Sequence, residues 1–272
     1  MPLQHQDHVM AAREFTSLVV LFLGAFQIVA PRCFWGSSIY FKGVWRRALP
    51  PPGRNAEADR LKRVLDARDR AEGKLDSAIR YAGVFTIGMA LLVLVPAVPL
   101  VLPYALSCLA MAAAIVVSYL RFRRVTERRV APLIRRSPWT SLPPIAMTGS
   151  AVCLLGTLTF AAIPEFRVSV AIVIASAIAL LSVAWRVATA PAILFGDDSQ
   201  LEYLVDEHLR FCRAMGFVSV ACAPPVVLVG LGWAMLPASA TFFNVVAIAV
   251  ALAFLVVLIV SLNPIRKRFS VA

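Results

Sequence analysis

The sequence predicts an all-α, polytopic integral membrane protein with about seven transmembrane helices, six of them in three hairpins and one at the amino terminus. Three observations carry this. Of the 272 residues 60% are hydrophobic and only 15% charged, against roughly 45 to 50% apolar and about 25% charged in soluble domains. Two charge-free runs, residues 81–120 and 214–265, are each far longer than the roughly 20 residues that cross a bilayer once. The net charge of +12 is distributed along the chain in blocks that alternate with the apolar runs.

The run 81–120 would extend about 60 Å as one helix, twice the hydrocarbon thickness. It must fold back, and Pro96, Pro99 and Pro103 near its middle supply the break. Spans are therefore expected at 81–97 and 100–120. The run 214–265 divides in the same way at Pro237 to Thr241, giving spans at 215–236 and 242–263, with Pro224 and Pro225 inside the first. Between these pairs, residues 144–163 and 168–190 form a third pair around the polar turn Pro164, Glu165, Phe166, Arg167. Residues 15–31 add a seventh candidate that contains Gln27. A cleaved signal peptide is the competing reading of this segment, but a cut after Ala30 would leave Pro31 next, and Arg13 is offset by Asp7 and Glu14.

Orientation follows from the basic residues, which resist translocation. All Lys and Arg except Arg13 and Arg167 fall in segments that lie on one side once the hairpins are drawn. This predicts an external amino terminus and a cytoplasmic carboxyl terminus; with residues 15–31 lying along the surface instead, six spans and a cytoplasmic amino terminus fit as an alternative, and the Ala- and Arg-rich usage points to a bacterial inner membrane. The organisation is then an outer tail and first span (1–31), a basic cytoplasmic segment (32–80), a hairpin (81–120), an Arg-rich loop (121–142), a hairpin (143–190), a cytoplasmic helix (191–213), a hairpin (214–263) and a basic tail (264–272).

Residues 57–80 read as an amphipathic helix that leads straight into the second span. Asp59 and Arg63, Asp66 and Arg70, and Asp76 and Arg80 are acid-to-base pairs four apart. The aromatic residues Trp35, Tyr40, Phe41 and Trp45, set among Lys and Arg, suit a segment at headgroup level, so no nucleic-acid partner is expected. The loop RFRRVTERRVAPLIRR carries Arg121, Arg123, Arg124, Arg128, Arg129, Arg135 and Arg136, which could contact anionic lipid headgroups as well as set topology.

The segment richest in titratable chemistry runs from Gly196 to His208. On a helix Asp198, Glu202 and Asp206 fall at i, i+4 and i+8, and such oxygen ligands suit Mg²⁺ together with a substrate phosphate. That pattern is the basis of an alternative expectation, a Mg-dependent membrane transferase acting on a lipid diphosphate. The same acids also suit the start of a helix, with Asp206 and Glu207 facing Arg210, and no cofactor is needed for that role.

No Asp, Glu or Lys falls inside an expected span. Ion-coupled carriers mark their pathways with such groups, so the pattern argues against that class while leaving open a carrier of apolar or lipid cargo or a helix bundle within a larger complex. The cysteines at 33, 108, 153, 212 and 222 have no paired spacing and are expected to be reduced, without disulfides. Ala171, Ala175 and Ala179, and likewise Ala249 and Ala253, form small-residue stripes that would allow close helix packing or self-association. Ser118, Ser182 and Ser261, each shortly before a basic residue, raise a faint internal repeat over the three hairpins. No motif fixes an activity. The expectation is a non-enzymatic membrane protein, transport-related or complex-forming, whose cytoplasmic helices dock a partner or anionic lipid.

Overall fold

The computed structural model of the chain describes residues 2–31, 76–126, 138–190, 200–236 and 240–262. Within them run seven α-helices and no strand: α1 Pro2–Val29, α2 Asp76–Val93, α3 Leu102–Thr126, α4 Pro144–Thr159, α5 Arg167–Thr189, α6 Gln200–Met235 and α7 Thr241–Leu262. Six of these, α2 to α7, are long and apolar enough to cross a membrane among the described residues. The all-α polytopic fold expected from composition is therefore the fold observed.

The helix ends follow local chemistry. α2 stops at Val93 because Pro96 and Pro99 cannot donate to the preceding carbonyls, and α3 starts at Leu102 with Pro103 in its first turn, where a missing N–H costs nothing. The expected simple turn after α4 is two short 3-10 turns, Phe160–Ala162 and Pro164–Phe166. α6 departs from expectation in a more telling way. Local polarity sets the segment 191–213 apart as a helix separate from the span, yet Gln200–Met235 is one helix of 36 residues. Nothing before Pro224 breaks it, so at about 1.5 Å per residue it exceeds the bilayer core and its polar amino-terminal turns project beyond the apolar stretch.

α1 packs against this set of spans. It runs antiparallel along α2 in the most extensive helix pairing among the described residues, from Arg13 beside Val93 to Ile28 beside Gly83. The pairing is close because two glycines meet: a Cβ on Gly24 would stand 2.9 Å from the Gly83 carbonyl oxygen, and one on Gly83 would stand 2.8 Å from that of Gly24.

The helices do not simply stack in order along the chain. α2 packs on α3, α3 on α5, and α5 on α6, while α1 touches α6 and α3 only lightly. These five form a ring, with α4 and α7 packed on the outer side of α6. α6 is thus the central helix: 61% of its stretch Arg210–Trp233 is buried, against 17% for α7, the most hydrophobic span at mean hydropathy 3.0. The second sequence hairpin is splayed, since α4 packs mainly on α7 and α6 and meets α5 chiefly near their connecting turns.

The three hairpins consequently do not pack alike, and the serines that hinted at a repeat differ too. Ser118 is fully buried, whereas Ser182 is exposed and Ser261 half-buried, and each of the latter two donates to a carbonyl of its own helix. Within the chain the alanine stripes pack only in part: Ala179 and Ala253 are half-buried, and Ala253 lies against Gly149. Ala171, Ala175 and Ala249 are exposed, while α5 buries Val170, Val173, Ser176, Ala177 and Leu180. Close approach is achieved instead by glycine: Gly149 and Gly156 of α4 leave room for Val257 and Val250 of α7, and Gly232 of α6 for the ring of Phe160.

Several interior hydroxyls are satisfied within their own helix. Ser107, Ser150, Thr157 and Ser176 each donate to the carbonyl four residues earlier on their own helix. Phe160, Phe166 and Phe243 cluster where the turns between α4 and α5 meet the start of α7, with ring centroids of Phe160 and Phe243 5.0 Å apart. Trp139 and Trp185 pair edge to face at the opposite end of α5, 5.9 Å apart, as residues of an interfacial aromatic belt would.

Candidate functional site

The ring of helices encloses a partly open cavity of about 90 Å³ between α1, α2, α3 and α6. Its wall combines polar residues with Leu23 of α1, Met111 of α3 and Val220, Ala223, Pro224 and Val227 of α6. The polar members are Gln27, Thr86, Tyr104, Ser107 and Cys108, and none of the lining residues carries a formal charge.

The cavity exists because α3 and α6 stand apart at this level, bridged by one large side chain. Tyr104 is almost fully buried, and its hydroxyl donates to the Pro224 carbonyl across 3.1 Å. At the same place α6 contains its two prolines and continues through them. A proline nitrogen has no hydrogen, so the carbonyls of Val220 and Ala221 cannot receive their usual bonds from residues 224 and 225. A weakened stretch of the central helix therefore lies against the cavity wall.

The remaining polar side chains turn their protons into the wall. Thr86 Oγ1 lies 2.8 Å from the Ala82 carbonyl and 3.1 Å from Gln27 Oε1, and Ser107 donates to the Pro103 carbonyl at 2.8 Å. A hydroxyl has one proton. If Thr86 donates it to Ala82, the Gln27 amide is turned so that its nitrogen donates to Thr86. With those bonds made, the surface left for a ligand is almost wholly apolar.

A second polar feature fixes α1 in the ring. Arg13, only 9% exposed, donates through Nη1 to the carbonyls of Val93 at 2.7 Å and Val95 at 2.9 Å. Through Nη2 it donates to those of Pro96 at 3.0 Å and Val98 at 3.1 Å. These are carbonyls that the end of α2 and the prolines after it leave without helical partners, and a cation there is favoured by the helix dipole. Ser17 adds a bond to the Ala90 carbonyl at 2.9 Å. Arg210 plays a related part at the end of α5, donating to the Ala190 carbonyl while almost wholly buried.

Of the residues singled out from the sequence, Glu202 and Asp206 stand one turn apart near the start of α6, and Asp198 lies outside the described residues. Arg121, Arg123 and Arg124 occupy the last turns of α3, with Arg121 exposed; Arg128, Arg129, Arg135 and Arg136 lie outside the described residues. Cys108, Cys153, Cys212 and Cys222 are buried free thiols, and Cys222 lies 3.3 Å from the Ser150 hydroxyl. Sequence reasoning marks Gln27 and the proline pair but does not join them. Polar residues scattered one or two per span, at Thr86, Tyr104 and Ser107, are the available signal, and only packing brings them to one place.

No family model, curated protein or solved structure matches the chain.

Proposed function

We propose that this is a non-enzymatic multi-pass protein of a bacterial cytoplasmic membrane, a transport-related subunit that handles an apolar or lipid cargo. The observation that carries this reading is the uncharged cavity beside the proline-weakened stretch of α6. Carriers commonly bind cargo within the bilayer where a helix is interrupted. Those that move ions or charged solutes place ionisable groups there, and the lining of this cavity carries no formal charge.

The basic end of the molecule faces the cytoplasm in this reading. Arg121, Arg123 and Arg124 continue α3 beyond its apolar stretch, and with the rest of the 121–136 loop they form a docking region for anionic lipid or a partner subunit. Each such residue near an anionic surface contributes about 1 kcal/mol.

The test is transbilayer movement of a fluorescently tagged phospholipid in vesicles containing the purified chain. Movement several-fold faster than in protein-free vesicles, and slowed by Ala223→Phe, is expected. Equal rates with and without the protein would overturn the carrier reading.

A further inference from the structure

We propose that the cavity binds the end of a hydrocarbon chain, which reaches it from the surrounding lipid through the seam between α1 and α6. This deepens the carrier reading and rests on it.

The chemistry of the wall selects the ligand. Tyr104 donates to Pro224, Ser107 to Pro103 and Thr86 is engaged by Ala82 and Gln27. An anionic ligand would find no hydroxyl proton free without breaking one of these bonds, at a cost of about 1 to 3 kcal/mol for a buried group left unsatisfied. An alkyl chain breaks none, and it recovers the dispersion contacts that an empty apolar space forfeits. The volume of about 90 Å³ is below the roughly 150 Å³ of dry apolar cavities that admit benzene, so a few terminal carbons fill it. A headgroup has no room and no charged partner inside.

Topology selects the route. The cavity is walled by α1, α2, α3 and α6. α1 is sealed to α2 by the Gly24 and Gly83 contact, and α2 packs firmly on α3. The space between α3 and α6 is backed by α5, which packs on both. Among the described residues, only the α1 to α6 boundary is lightly packed and has no helix of the ring behind it. There Leu23, Ala223 and Val227 are half-buried, as side chains flanking an opening are.

The experiment uses the full chain in nanodiscs and two photoreactive probes. One is a phospholipid with a diazirine at the end of an acyl chain; the other is a polyprenyl phosphate with a diazirine at the end of its isoprenoid chain. Crosslinks mapped by mass spectrometry should concentrate at least five-fold on Leu23, Met111, Ala223 and Val227 over the outward residues Leu252 and Leu255 of α7. The probe that does so identifies the type of chain. Ala223→Phe should cut this labelling five-fold or more, with Val227→Phe as the second filling variant, while Ala251→Phe on the outer face of α7 leaves it unchanged. Labelling of the cavity no greater than of α7 with both probes would overturn the proposal, as would undiminished labelling in a folded filling variant. Cavity labelling without transbilayer movement would remove the carrier reading and leave the site. Movement without cavity labelling would remove the site alone.

Discussion

Arg13 shows how much one side chain decides at the residue scale. In the sequence it is one of two cations, with Arg167, expected on the side opposite the other basic residues, and it is balanced by Asp7 and Glu14. In the fold its guanidinium closes the carbonyl end of α2 and ties the first helix to the α2 to α3 turn. Hydrogen bonds to a charged group contribute about 1.5 to 3 kcal/mol each, but four bonds from one fork act as a unit. Arg13→Ala should therefore lower stability by about 2 to 3 kcal/mol, read as a fall in the detergent melting temperature. Arg13→Lys should recover only part of it, because an ammonium cannot span four carbonyls. Equal melting of all three proteins would show that the clamp is not formed. Tyr104 is a second test at this scale: Tyr104→Phe keeps the ring and removes one buried bond to Pro224, for about 1 kcal/mol. A loss above about 3 kcal/mol would mean that the hydroxyl supports more than that carbonyl.

At the scale of the element, glycine and proline divide the labour. Gly24 and Gly83 sit where two helix backbones meet, and a side chain at either position would press on the carbonyl oxygen of the other. Gly24→Val or Gly83→Val should cost roughly 1 to 3 kcal/mol by overpacking. Gly88, on the same helix as Gly83, faces open space, with nothing within 4 Å of where a Cβ would stand. Gly88→Ala should be neutral or stabilising by up to about 1 kcal/mol from helix propensity. The contrast within one helix checks the α1 to α2 interface by thermal melts alone, and a cost at Gly88 equal to that at Gly83 would refute it. The proline pair makes the opposite kind of prediction. Pro224→Ala and Pro225→Ala return amide hydrogens to the helix, so α6 should become more stable while transbilayer lipid movement slows several-fold. Faster movement in either variant would remove the weakened helix from the mechanism.

The existence of the spans and the sites of their breaks are legible in the sequence because they depend on short stretches of chain. Runs without charge have only the bilayer to hide in, and Pro96, Pro99 and the 237–241 segment interrupt helices through their own covalent structure. Helix pairing is less legible. Ala171, Ala175 and Ala179 satisfy the small-residue spacing as well as any stripe, yet α5 turns another face inward. In an almost uniformly apolar helix, hydropathy does not mark which face meets protein and which meets lipid.

For the whole molecule, the first helix is the decisive part. If it crosses with α2, along which it runs antiparallel, the crossings number seven and the two ends of the chain lie on opposite sides of the membrane. A reporter active only outside the cytoplasm, fused before Arg13, should be active, and the same reporter after Ala272 should be silent. Silence at both positions would return the molecule to six crossings. The ring of α1, α2, α3, α5 and α6 also explains why the cavity is hidden in the sequence: its polar wall is drawn from positions as far apart as Gln27 and Tyr104, and its apolar wall from positions near 220.

The sequence by itself determined the class of protein, the six long apolar spans and where the chain turns between them. Those properties follow from local hydropathy, charge and proline chemistry, and no neighbour is required to express them. Only the tertiary structure decided that α1 belongs to the bundle, that α6 is its centre, that the second hairpin is splayed and that a cavity lies against the proline pair. Those outcomes depend on which helix faces fit one another, a matter of shape and of a few specific hydrogen bonds between residues distant in the chain. Arg13 reaching across to the end of α2, and Tyr104 to Pro224, are two of the contacts that hold the arrangement.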